Sequence, residues 1–99
     1  MGGMTTYQNL EAWKKSMALV KNVYVIVKSY PKEELYALTS QTKRAAISVP
    51  ANIAESIGRN YKKDTIPFLH IARGSLYEVE SLLLIAVSLD LLNEEKKRY

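Results

Sequence analysis

Apolar positions recur at three- and four-residue steps through three long stretches of the chain. From about residue 7 to residue 29, Leu10, Trp13, Met17, Val20, Tyr24 and Val27 form one line, the spacing of a helix seam. A second line, Ala12, Leu19, Val23 and Ile26, lies on another side, so this helix needs two neighbours. Water is left a narrow strip with Lys14, Lys21 and Lys28. The β-branched cluster from Val23 to Val27 would suit a strand locally, but the flanking helix period outweighs it. Pro31 then ends the helix, because the residue before a proline avoids the α region.

The second stretch, about 33–58, puts Leu35, Leu38, Thr42, Ala46, Val49, Ile53 and Ile57 on one face. Opposite runs a polar line of Gln41, Arg44, Ser48, Asn52, Glu55 and Arg59. Pro50 interrupts the hydrogen bonding but not the phase, which predicts one kinked helix rather than two elements. The third stretch, about 65–89, opens on Asp64 as N-cap with Pro67 in the first turn. It carries two apolar faces. Leu69, Ala72, Leu76, Val79, Leu83 and Ala86 form one, and Ile71, Leu82, Ile85 and Leu89 the other. Gly74, Ser81 and Ser88 make a line of small residues between them. A helix apolar almost all round is normally buried, so Leu82, Leu83, Ile85 and Leu89 are expected to lie against other helices, some from neighbouring subunits. Asn93 is placed to cap a fourth helix over about 94–99. That element is too short to match the third, so either other subunits cover the surface or the sequence stops short of its natural end.

Composition narrows the function classes. The chain has 99 residues, 47% of them hydrophobic, and no cysteine, which excludes a disulfide scaffold, a thiolate metal site and a cysteine nucleophile. Met1, Gly2 and Gly3 read as a start extension or cloning scar, leaving one domain over 4–99. The longest apolar run, Leu82 to Val87, is far below the ~20 residues of a membrane span. With no signal segment at the start, the expected location is cytoplasmic, with no membrane partner. The net charge of +4 is compatible with a polyanionic partner. Its distribution is more telling. Residues 35–63 carry five Lys or Arg against one Glu, whereas residues 64–99 carry four against six acidic residues.

Candidate chemistry is sparse. His70 is the only histidine, and neither the spacing of a metal site nor the partners of a catalytic triad accompany it. Glu78 and Glu80 are two apart, so they point to different helix faces. Gly58 and Gly74 are isolated and form no phosphate loop. An enzyme would have only Glu55, Glu78 and His70 to draw on, and the expectation is a protein with no catalytic, cofactor or metal site. The polar line has three readings: a solvated face, a buried network that fixes subunit register, or nucleic-acid contact. For the last, the residues are Lys43, Arg44, Arg59, Lys62 and Lys63. Seven tyrosines can stack on bases, but they are scattered over several faces, and packing with the hydroxyl at the edge is their ordinary use.

Two motifs carry a resemblance. The run Tyr36-x-Leu38-x-x-Gln41-x-x-Arg44-Ala45-Ala46-x-Ser48-x-Pro50-x-Asn52-Ile53-Ala54-Glu55 and the run Phe68-Leu69-x-Ile71-Ala72-x-Gly74-Ser75-Leu76-x-Glu78 resemble the bacterial four-helix bundle proteins encoded by intervening sequences in 23S ribosomal RNA genes. Leu10-x-x-Trp13 and Tyr30-Pro31-x-Glu33-x-x-Tyr36 also fit, so the resemblance covers about residues 7–92. Ser56 stands where that family usually has Gly. The resemblance implies an all-α, antiparallel up-and-down four-helix bundle, with the fourth helix short or truncated in this chain. Gln41, Ser48, Asn52, Glu55, Gly74 and Glu78 are its motif and structural-network positions. Members also resemble the accessory variability protein of diversity-generating retroelements, a basic pentamer that binds nucleic acid and a reverse transcriptase. The implied partners are therefore the chain itself as a homopentamer, RNA or DNA, and a reverse transcriptase or other protein, with no cofactor. The alternative is a protein–protein scaffold that touches no nucleic acid.

Overall fold

The computed structural model describes residues 6–59 and 61–93. A 3₁₀ turn at Thr6–Asn9 leads into helix α1 (Glu11–Val27), and a second 3₁₀ turn at Lys32–Glu34 leads into a π-helical turn at Leu35–Thr39. Helices α2 (Ser40–Ile57) and α3 (Lys62–Ser88) follow, and no strand occurs among the described residues. The three long helices pack antiparallel, with α2 in the middle against both others and its larger contact toward α3. This is an all-α bundle consistent with one lacking a fourth helix. The fourth helix expected over 94–99 and the extension at 1–3 lie outside the described residues.

The core is built from the predicted faces, with shifts that have local causes. In α1 the buried positions are Ser16, Leu19, Val23 and Val27, so the centre of burial falls between the two apolar lines. Ser16 is tolerated inside because its hydroxyl donates to the Trp13 carbonyl at 2.7 Å. In α2, Thr42, Ala46, Val49 and Ile53 are buried with Leu38 just before them, but Leu35 and Ile57 are exposed. The π turn inserts an extra residue per turn, which swings Leu35 off the face that Leu38 and Thr42 share. Pro50 sits inside an unbroken α2.

Helix α3 begins earlier than the sequence predicts. Tyr61, not Asp64, is its N-cap, in an extended conformation. The Tyr61 carbonyl accepts from the backbone N–H of Asp64 at 3.0 Å and of Thr65 at 3.2 Å. Pro67 is then the sixth helical residue and costs one bond near the open end. Asp64 instead lies in the first turn, where a carboxylate favours the helix dipole. The far end closes with a Schellman motif. The N–H of Leu91 donates to the Ala86 carbonyl at 2.9 Å and that of Asp90 to Val87 at 3.0 Å. Asp90 supplies the left-handed residue, with φ 60°, a place where Asp substitutes for Gly. Leu92 is thereby folded into the core.

Burial along α3 is uneven. Leu82 and Leu83 are buried as expected, whereas Ile85 and Leu89 remain 43% and 55% exposed. Gly74 opens to free space, since a Cβ there would meet nothing within 4 Å. Helices α1 and α3 make little close contact with each other. Between them lies an apolar groove floored by Val49 and Ile53, with Ala12 and Leu19 on one wall and Leu69 and Leu76 on the other.

Candidate nucleic-acid interface

The polar line of α2 runs beside α3 at the surface, and its middle is a hydrogen-bonded ladder. Asn52 Nδ2 donates to the Ser48 carbonyl at 2.8 Å and to Ser48 Oγ at 3.0 Å. Ser75 Oγ on α3 bonds Ser48 Oγ at 2.8 Å. These partly buried contacts fix the register of α2 against α3 within one chain. At the lower end of the line, Arg59 pairs with Glu55 one helical turn away. Its guanidinium also lies over the Phe68 ring, 4.5 Å from the centroid. Two charges and an aromatic therefore tie the end of α2 to the start of α3.

The upper end is different. Gln41 and Arg44 of α2 and Glu78 of α3 line one cleft of about 440 Å³ together with Tyr36, Ser40, Ser48 and Ser75. None of Gln41, Arg44 and Glu78 makes a side-chain hydrogen bond or ion pair among the described residues. A cation and an anion thus share a cleft without closing on each other.

The five cations predicted to contact nucleic acid fall in three places. Lys43 faces α1 and lies 4.6 Å from the centroid of the Tyr24 ring. Arg44 belongs to the cleft. Arg59, Lys62 and Lys63 gather at the α2–α3 corner, where Lys62 and Lys63 are exposed in the first turn of α3. The fifteen residue steps from Arg44 to Arg59 span roughly 22 Å at helical rise, so the cations do not form one compact patch. Among the motif positions, Gln41 and Glu78 meet in the cleft, Ser48 and Asn52 form the ladder, Glu55 holds Arg59, and Gly74 is exposed. Of the cleft residues, Ser75 carries no site role in the sequence, and Tyr36 only that of one among seven tyrosines able to stack on bases. Both stand in the motifs quoted above, but a contact between positions 27 residues apart leaves no trace in local spacing.

The three residues an enzyme would have to use are dispersed. Glu55 is in its ion pair, Glu78 lines the cleft, and His70 is exposed in the third turn of α3 and lines neither the cleft nor the groove. No group of three or more His, Cys, Asp or Glu residues among the described residues is placed to hold a metal. No helix among them is long and apolar enough to cross a membrane.

An antiparallel, strand-free helical unit with a polar α2–α3 seam among the described residues is a protein of the all-α bundle class. The chain belongs to the 23S rRNA-intervening sequence protein family, whose model matches residues 8–99. A search of curated proteins gives no match.

Proposed function

We propose that the protein is a non-catalytic helical homo-oligomer that binds RNA or DNA through its basic surface. The observation that carries this reading is the α2–α3 corner. Among the described residues Lys62 and Lys63 make no ion pair on the first turn of α3, where the helix dipole favours an anion and the Asp64 carboxylate offsets only part of the positive charge. Arg59 and the exposed Tyr61 flank them, giving phosphate and base contacts side by side. Lys43, facing α1, and Arg44, in the cleft, are two further cations on α2 apart from this corner. By the resemblance to the accessory variability protein, the oligomer is a pentamer and a reverse transcriptase is a candidate protein partner.

Binding through phosphate contacts responds steeply to salt. If Lys62, Lys63 and Arg59 neutralise three phosphates, raising salt from 50 to 200 mM weakens duplex binding about 40-fold. Fluorescence anisotropy on labelled RNA and DNA duplexes at the two salt levels measures this. The K62E/K63E double variant should flatten the dependence. Salt-insensitive or absent binding by the intact oligomer rules the reading out.

A specific observation favours a second reading, a protein–protein scaffold. The groove between α1 and α3 is almost wholly apolar along its floor and walls, a surface that suits a helix better than a phosphate backbone. Partners captured from lysate that survive nuclease treatment would favour it.

A further inference from the structure

The upper cleft between α2 and α3 has a donor and acceptor pattern that the basic-surface reading does not use. On one wall Arg44 offers guanidinium donors and Gln41 an amide; on the other Glu78 offers only acceptor oxygens. The floor adds a further donor. Ser48 and Ser75 have two hydroxyl hydrogens between them, and their mutual 2.8 Å bond uses one. Ser48 Oγ also accepts from Asn52, so whichever serine donates, one O–H stays uncommitted. At the mouth stands Tyr36, 92% exposed, the most exposed large apolar residue among those described.

Two oppositely charged side chains that share a cleft without pairing suit a ligand that presents acceptors to one and donors to the other. The cleft holds about 440 Å³, room for a single planar ring system but not for a duplex. Among the common bases, guanine alone carries two adjacent N–H donors, at N1 and N2, next to the acceptors O6 and N7. A carboxylate accepts both donors at once, while a guanidinium or hydroxyl serves O6 and N7. Cytosine and adenine each offer a carboxylate one exocyclic amine, and uracil one ring N–H. Sequence-specific recognition of RNA acts on unstacked bases, read along these edges and stacked on aromatic side chains.

We propose that this cleft reads an unpaired guanine base of single-stranded RNA. Glu78 accepts from N1 and N2, Arg44 and the serine floor donate to O6 and N7, and Tyr36 stacks on the ring. The proposal rests on the nucleic-acid reading above and assigns a base-reading site to it, separate from the phosphate contacts at the α2–α3 corner.

The test uses 12-nucleotide uridine oligomers carrying three guanosines, inosines, cytidines or adenosines, with anisotropy on the intact protein and its E78Q variant and sedimentation mass taken on the same samples. The wild type should bind the guanosine oligomer about tenfold more tightly than all-uridine, as expected of one bidentate contact. Inosine, which lacks the N2 amine, should lose most of that gain, and this arm is independent of any variant's folding. E78Q should bring the guanosine-to-uridine ratio down to about one. Equal affinity for all the oligomers would overturn the guanine assignment while leaving nucleic-acid binding intact, whereas no binding to any RNA or DNA would remove both. A changed oligomer mass for E78Q would make the cleft a contact between subunits and overturn the proposal in that way.

Discussion

Tyr30 shows how one side chain sets a local energetic cost. The ring packs into the core at only 8% exposure, and its hydroxyl is buried without a hydrogen-bond partner among the described residues. A buried unpaired polar group costs about 1–3 kcal/mol. Tyr30→Phe keeps the ring and removes the hydroxyl, so it should raise stability by about 1 kcal/mol in urea unfolding. Burial also raises the phenol's pKa above 10.0, because the phenolate would lose its hydration. Below pH 10 the phenol is protonated in both the folded and the unfolded chain. Above it the unfolded chain releases the proton first, so stability falls as pH rises. The wild type should therefore lose more stability than Tyr30→Phe between pH 9 and 11, and identical pH profiles would refute this account of Tyr30. Residue-scale legibility in the sequence followed distance along the chain. The Glu55–Arg59 pair has helical i, i+4 spacing and both residues stood on the predicted polar line, whereas the Ser48–Ser75 bond and the orphaned hydroxyl depend on tertiary placement that spacing does not encode.

Among the elements, period was readable and phase was not always so. The three helices follow from three- and four-residue apolar steps, but the π turn at Leu35–Thr39 removed Leu35 from its predicted face, and no residue in that turn announces it. Helix α3 starts before the point its sequence implies, because Asp64 and Pro67 have the form of a cap and a first-turn proline. The extended backbone at Tyr61 and its accepting carbonyl opened the helix earlier. Helix α3 also separates two kinds of leucine that one hydrophobic pattern treats alike. Leu83 is fully buried, and Leu76, two turns earlier on the same predicted line, is 42% exposed on the groove. Leu83→Ala should cost about 2–5 kcal/mol by leaving a cavity. Leu76→Ala should cost only about 1 kcal/mol in the isolated chain, since the side chain is only partly buried there. Chemical denaturation of both variants at low protein concentration tests the contrast, and equal losses would mean that the groove is already filled.

The whole molecule poses a question of coverage that neither scale below it answers. Sixteen large apolar residues are exposed among the described residues, while the buried hydrophobic core holds fifteen, four of them alanines. Large exposed apolar surface marks an interaction site in a soluble protein, and here exposed apolar side chains lie on both flanks and the outer side of α3 and line the groove facing α1. The apolar excess of the third helix was visible in the sequence. Which flanks it left open was not, because that depends on how far apart α1 and α3 sit across α2. If copies of the chain cover these flanks, folding and assembly are linked, and mass action raises the melting temperature with concentration. Each tenfold rise in concentration then adds about 1 kcal/mol per subunit, or roughly 4–8 °C for a domain of this size. Differential scanning fluorimetry from 1 to 100 μM checks this directly. A melting temperature constant over that range, with a monomer mass by light scattering, would show that the exposed face of α3 is not an assembly surface of this chain, and the homo-oligomer reading would fall with it.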